Sequence, residues 1–319
     1  MVTQVGREAR GASIGAPRPV HWSRGYRRGM QTGSAPATGT GRVANTVRGT
    51  GAPVLVLHGT PGSLEGAEVM ARFLPSDRFR VVAVARPGYA GTPIIPGHAS
   101  LDDEADRYAA LLDDLGVDRT AVLAWSGGGP SAYHFAARHP DRVSALVVTA
   151  GLSGHWVPPH ASPAEWFVAR TRLGGALATI AGHVVPRAVV GTVVAGVSSL
   201  RGAALRAHVR DVLHDPVRRT TVLDLATSGN AAGAHRAGWE NDVRVLGALE
   251  RLDLAAVRTP TLLLHGDADT DVDPAHSRRA FAEVPGAELV TLPGGTHFAL
   301  WDHADSVAVQ QRVAEHLAR

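Results

Sequence analysis

The sequence predicts an α/β fold: an open, mostly parallel sheet with helices on both faces and an all-helical insert. Three observations carry that expectation. Short apolar runs rich in valine or leucine alternate with helical patterns along most of the 319 residues. One run ends on a lone serine before three glycines, "AVLAWSGGGP" at 121–130. From about 152 to 256 no strand-like run occurs. Strands buried on both faces of a parallel sheet read as continuous apolar stretches, and repeated βα units close into such a sheet.

Taken in order, the chain opens with a segment, 1–37, rich in Gly, Ala, Pro and Arg and without apolar periodicity. It reads as a disordered basic tail. It lacks the apolar core of a secretory signal. Residues 1–29 hold six arginines and one glutamate, a net of +5; taken from the chain's +3, this leaves −2 for the rest. The sequence pI near 9.9 therefore belongs to the tail, and no nucleic-acid partner is expected. The tail is also expected to be dispensable for folding, with strand signals near 42–48 beginning the fold.

The strands then fall at 54–57 (VLVL), 79–84 (FRVVAV), 120–125 (TAVLAW), 143–149 (VSALVVT), 261–265 (TLLLH) and 287–292 (AELVTL). Helical patterns lie between them at about 64–74, 101–116, 129–139, 275–283 and 302–318. The strand-free interval carries helical stretches near 163–182, 186–199, 201–213 and 216–228. The domain reading is a core built from 38–151 and 257–319, with 152–256 as a helical cap over the carboxyl edge of the sheet, where ligands of such folds gather.

Composition removes several chemistries. There is no cysteine, hence no disulfide, thiolate nucleophile or cysteine metal site. That fits a cytoplasmic setting. All 32 basic residues are arginine, which excludes Schiff-base and P-loop lysines. No run of uncharged apolar residues is long enough to span a bilayer.

The serine of "WSGGGP" explains its surroundings. A serine at a strand end followed at once by a helix sits on a sharp turn that exposes its hydroxyl. Small residues two before and two after it, Ala124 and Gly128, let strand and helix approach. The helix N-terminus adds a positive dipole and free N–H groups for a developing oxyanion. The stretch lacks the GxGxxG spacing and the following GK[ST] of a phosphate loop. Such a nucleophile needs a base and the base an orienting carboxylate. "LPGGTHFAL" places His297 in a Gly-rich loop after the last strand. "HGDADTDVDP" closes the penultimate strand with Asp267, Asp269, Asp271 and Asp273, among which local chemistry does not choose. "VLVLHGTPGS" supplies the loop after an early strand. Pro61 has no N–H, so the oxyanion donor there is Thr60, paired with the Gly127 amide; His58 reads as a residue bracing the loop. "DADTDVD" is no calcium loop, because Val272 and Arg278 stand where glycine and glutamate belong. No metal and no cofactor are expected.

With these motifs assembled, the chain resembles the α/β-hydrolase superfamily. HG-T-PG at 58–62, RPGYAGT at 86–92, WSGGGP at 125–130, HGDADTDVDP at 265–274 and GGTHF at 294–298 follow the family's order over about residues 40–319. Two departures, Ala124 and Ala90 for the usual glycines, keep small side chains at the turns. The resemblance implies Ser126 as nucleophile, His297 as base and Asp269 as acid. It implies a serine hydrolase that cleaves a carboxylic ester, or related acyl bond, of an apolar small molecule. Ser126 argues against the aspartate-nucleophile dehalogenases and epoxide hydrolases, and none of Tyr26, Tyr89, Tyr108 and Tyr133 lies in the insert, where epoxide hydrolases place theirs. Perhydrolase (haloperoxidase-like) and carbon–carbon bond hydrolase chemistry are the alternatives, and a non-catalytic ligand binder is the reading from a different class.

Overall fold

The computed structural model describes residues 42–158, 167, 168 and 170–319. The tail expected at 1–37 and Trp166 lie outside these residues. The described residues form a seven-stranded sheet in the order β1-β3-β2-β4-β5-β6-β7. Its strands are β1 (Asn45–Arg48), β2 (Ala52–Leu57), β3 (Phe79–Val84), β4 (Thr120–Trp125), β5 (Val143–Thr149), β6 (Thr261–Gly266) and β7 (Glu288–Leu292). Only β1 runs antiparallel to its neighbour, pairing Asn45 with Val84 and Arg48 with Val81. All other ladders are parallel.

Side-chain alternation along each strand builds two cores. Leu55, Leu57, Val122, Ala124, Leu146, Val148 and Leu263 face one way, against α2 (Leu101–Asp114), α3 (Gly129–Arg138) and α9 (Ala275–Glu283). Val54, Val56, Ala121, Leu123, Val147, Leu262 and Leu264 face the other, against α1 (Leu64–Met70), α10 (Ala299–Asp302) and α11 (Ser306–Leu317). The helix starts are chemically marked: Ser63 caps α1, and Ser100 with Asp103 forms a capping box on α2.

Between β5 and β6 run α4 (Arg172–Val184), α5 (Pro186–Gly196), α6 (Gly202–His214), α7 (Pro216–Ser228) and α8 (Arg236–Gly247). Val190, Val194, Val209, Val212 and Val222 give α5, α6 and α7 a small core of their own.

Three expectations shift. The helix expected over 302–318 begins only at Ser306, because α10 ends at Asp302 and His303 Nδ1 accepts the Asp305 N–H at 3.1 Å between the two. The helix expected to run to 199 stops at Gly196. The chain beyond it pairs with the loop after β6: Ser199 N donates to the Ala268 carbonyl at 2.7 Å and Thr270 N to the Val197 carbonyl at 3.2 Å. The last, α8, was not expected, because Asn241 and Asp242 lie among its short apolar series Trp239, Val243 and Leu246. Its buried face carries Asn241 and Asp242.

Candidate active site

Every motif picked out in the sequence emerges at the carboxyl edge of the sheet. Ser126 follows β4 and opens a short 3-10 turn into α3. Its φ is +54°, a left-handed conformation that costs a non-glycine residue roughly 1–3 kcal/mol. A Cβ at Gly128 would stand 2.7 Å from the Leu57 and His58 carbonyl oxygens, so the position two beyond the serine admits glycine alone. The chain leaving β5 returns to this turn, with Leu152 N donating to the Ser126 carbonyl at 3.1 Å.

Thr60 and Gly127 come together. A Cβ on Gly127 would fall 2.2 Å from Thr60 Oγ1 and 3.2 Å from Thr60 N. The 58–62 loop therefore lies against the turn that carries Ser126. His58 braces it: Nδ1–H donates to the Gly59 carbonyl at 2.8 Å, and Nε2 accepts the Arg86 N–H at 3.0 Å. Burial and the nearby Arg86 charge lower the His58 pKa to about 3, so its ring stays neutral.

Asp269 and His297 are also joined. His297 Nδ1–H donates to Asp269 Oδ2 at 2.8 Å. The carboxylate is well held, since Oδ1 accepts the Asp271 and Val272 amides at 2.9 and 3.1 Å and Oδ2 also accepts His265 Nε2 at 3.1 Å. Burial opposes the charge on Asp269, but His297 and these donors outweigh it and keep the group well below the usual carboxylate range. Two of the other aspartates of the loop turn elsewhere: Asp267 accepts the Gly294 amide and Asp273 the Ala275 amide.

The remaining nitrogen of His297 meets Asp271 Oδ2 at 3.3 Å. Among the described residues no hydrogen bond joins His297 to Ser126 Oγ. Burial lowers the pKa of His297, yet Asp269 and Asp271 together raise it to about 9. The Trp125 indole N–H fixes the His297 carbonyl at 3.1 Å, and its ring lies 5.2 Å from the imidazole. Next door, Thr296 Oγ1 donates to Asp302 Oδ2 at 2.7 Å, which also accepts His208 Nε2 of α6 at 2.8 Å.

Sequence reasoning missed two supports. His265 reads as the last apolar-run residue of β6, yet it is buried with Nδ1 accepting Ser277 Oγ at 2.6 Å and Nε2 on Asp269. The second is a buried charge cluster behind the 58–62 loop. Arg86 reaches Asp242 of α8 through two nitrogens, at 3.0 and 2.9 Å, and Glu104 of α2 at 3.2 Å. Tyr89 and Thr60 hydroxyls donate to the same Asp242 Oδ2, at 2.7 and 2.6 Å. Four donors converging on one carboxylate are accommodated by its ionised form. The RPGY motif was the available signal; its partner, 156 residues away, was not.

The arrangement offers a hydroxyl on a strained turn, two adjacent amides and a buried carboxylate–imidazole pair on neighbouring loops. Residues 52–304 match the α/β hydrolase fold family. The chain belongs to that family, and it is a hydrolase. An α/β hydrolase fold protein from Nakamurella multipartita superposes with a TM-score of 0.86 at 40% identity, covering 91% of this chain and 99% of that one. The chain is also similar to the hydrolase YcgS of Bacillus subtilis, 25% identical over 82% of this chain and 89% of the relative. A third similarity is to 2-hydroxy-6-oxononadienedioate/2-hydroxy-6-oxononatrienedioate hydrolase 2 of Pseudomonas putida, 27% identical over 79% and 83%.

Proposed function

We propose that this α/β hydrolase is a serine carboxylesterase acting on an apolar small molecule. Ser126 Oγ attacks the ester carbonyl as His297 takes its proton, and the Thr60 and Gly127 amides hold the oxyanion. His297 then returns that proton to the departing alkoxide. Water, activated by the same imidazole, releases the acid and restores Ser126. Asp269 orients His297 and stabilises its protonated form. The observation that carries this reading is the Asp269–His297 hydrogen bond on loops beside a serine at φ +54°. For chemistry to begin, His297 Nε2 must exchange Asp271 for Ser126.

The helices of 152–256 act as a cap in this reading. Their richness in Ala, Val and Leu favours an apolar acyl or alcohol group. The cysteine-free composition supports a cytoplasmic location. No described helix is long and apolar enough to cross a membrane.

Carbon–carbon bond hydrolysis is the second reading, favoured by the similarity to the Pseudomonas putida enzyme named above. A panel of p-nitrophenyl esters of graded chain length, with a vinylogous 1,5-diketone beside it, separates the two. Ester turnover that Ser126→Ala abolishes, with fluorophosphonate labelling of the wild type alone, supports the esterase. Labelling that survives Ser126→Ala removes the nucleophile assignment.

A further inference from the structure

Outside the site, one segment among the described residues has a strongly asymmetric charge. From Trp166 to Arg210 the sequence contains six arginines and no aspartate or glutamate. All six, Arg170, Arg172, Arg187, Arg201, Arg206 and Arg210, are exposed. None forms an ion pair with a carboxylate among the described residues. Exposed Arg72, Arg138, Arg236 and Arg312 each meet an acidic side chain, whereas exposed Arg78, Arg119 and Arg258 do not; the segment is set apart by holding no carboxylate of its own.

The same segment exposes apolar side chains in a helical stripe. Leu173, Leu177, Ile180 and Val184 of α4 follow one another at four, three and four residues, so they share one face, and they are 62%, 49%, 58% and 73% exposed. Beyond the end of α4 the stripe runs into a groove of about 1070 Å³ between α5 and α6, with Val185, Ala195, Leu205 and Val209 in its walls and Arg187 and Arg206 at its sides. A soluble surface rarely leaves such a ridge uncovered.

We infer that this face docks on an anionic lipid bilayer, with the α4 ridge in the interfacial layer and the arginines against the headgroups. The charge selects the partner. A second copy of the chain joined by a two-fold axis would set the arginines of one patch against those of the other. A fluid acyl layer, by contrast, takes up a convex helical ridge without a matching groove, and its phosphates supply anionic partners to the groove-flanking Arg187 and Arg206, which meet no carboxylate among the described residues. Arginine suits the role because its apolar stem lies along the ridge while the guanidinium reaches the headgroups.

The test is co-sedimentation of the full chain with vesicles of phosphatidylcholine alone and of phosphatidylcholine mixed equally with phosphatidylglycerol. Binding to the anionic vesicles is expected, at least about tenfold stronger than to the neutral ones and weakened by about 0.5 M salt. Leu177→Asp with Ile180→Asp removes it while the melting temperature and the turnover of dissolved p-nitrophenyl acetate stay unchanged, so this proposal and the esterase reading fail separately. Leu177→Ser with Ile180→Ser repeats the test without new charge, and Arg187→Gln with Arg206→Gln weakens binding to anionic vesicles alone. Three results overturn the inference: binding undiminished in the Leu177/Ile180 variants, no preference for anionic vesicles, or a dimer of the free chain that those variants dissociate.

Discussion

The Asp271 carboxylate lies 3.3 Å from Nε2 of His297, on the side of the ring opposite the Asp269 hydrogen bond. Two carboxylates thus bracket one imidazole, and together they raise its pKa to about 9. A base must be neutral to accept a proton. His297 is protonated below its raised pKa, so kcat/KM is expected to climb as pH rises toward about 9. In Asp271→Asn one of the two raising charges is gone, and the acidic limb should move to lower pH by roughly one unit or more. A pH profile of kcat/KM for both proteins is the measurement. Coincident limbs would show that Asp271 leaves Nε2 free in solution.

The two aspartates should differ in kind. Asp269 accepts both the His297 and the His265 hydrogen bonds, so Asp269→Asn is expected to lower kcat by roughly 10³–10⁴. Asp271→Asn should stay within about tenfold of the wild type at its own optimum pH. A dead Asp271→Asn beside an active Asp269→Asn would reverse the assignment of the acid.

Strain at Ser126, the proposed nucleophile, predicts that glycine is the better tolerated replacement there. Glycine adopts φ +54° without the Cβ penalty, so Ser126→Gly should be about 1 kcal/mol more stable than Ser126→Ala, while both are inactive. Thermal or urea unfolding of the two variants decides. Equal stabilities would mean that the turn relaxes at no cost.

The charge cluster behind the 58–62 loop predicts a split between rate and binding. Thr60→Val keeps the backbone N–H but loses the bond to Asp242, so the proposed oxyanion donor is less well aimed. We expect kcat to fall by about 10- to 100-fold with KM nearly unchanged, and Thr60→Ser to restore it. Asp242→Ala goes further, stranding Arg86 in the interior without its bidentate partner. That change should cost about 3–5 kcal/mol in unfolding free energy. Steady-state kinetics on the first pair and chemical unfolding of the last are the checks.

The central strands were legible in advance because burial on both sheet faces leaves runs such as TAVLAW and VSALVVT with no charged residue to interrupt them. The loops that carry the candidates Ser126 and His297 were legible because they are punctuated by glycine at the ends of such runs. The α8 helix was not: RAGWENDVRVLG turns Asn241 and Asp242 inward, and these polar residues obscure the short apolar series Trp239, Val243 and Leu246. Its Asp242 is buried because Arg86, 156 residues earlier, meets it there, a pairing created by the fold and invisible along the chain. Asp271 illustrates the same limit. Its sequence position made it a rival to Asp269, whereas its location makes it a neighbour of the imidazole's other nitrogen.

The short backbone pairing between residues 197–199 and 268–270 has a consequence for protein engineering. Ser199 N donates across it to the Ala268 carbonyl and Thr270 N to the Val197 carbonyl, so it holds Ala268 and Thr270, the residues on each side of Asp269. Transplanting another helical set between β5 and β6 therefore alters one wall of the Asp269 turn. Grafts that retain the native Val197–Ser199 splice should keep that turn seated, and chimeras joined upstream of it should need a compensating edge in the donor.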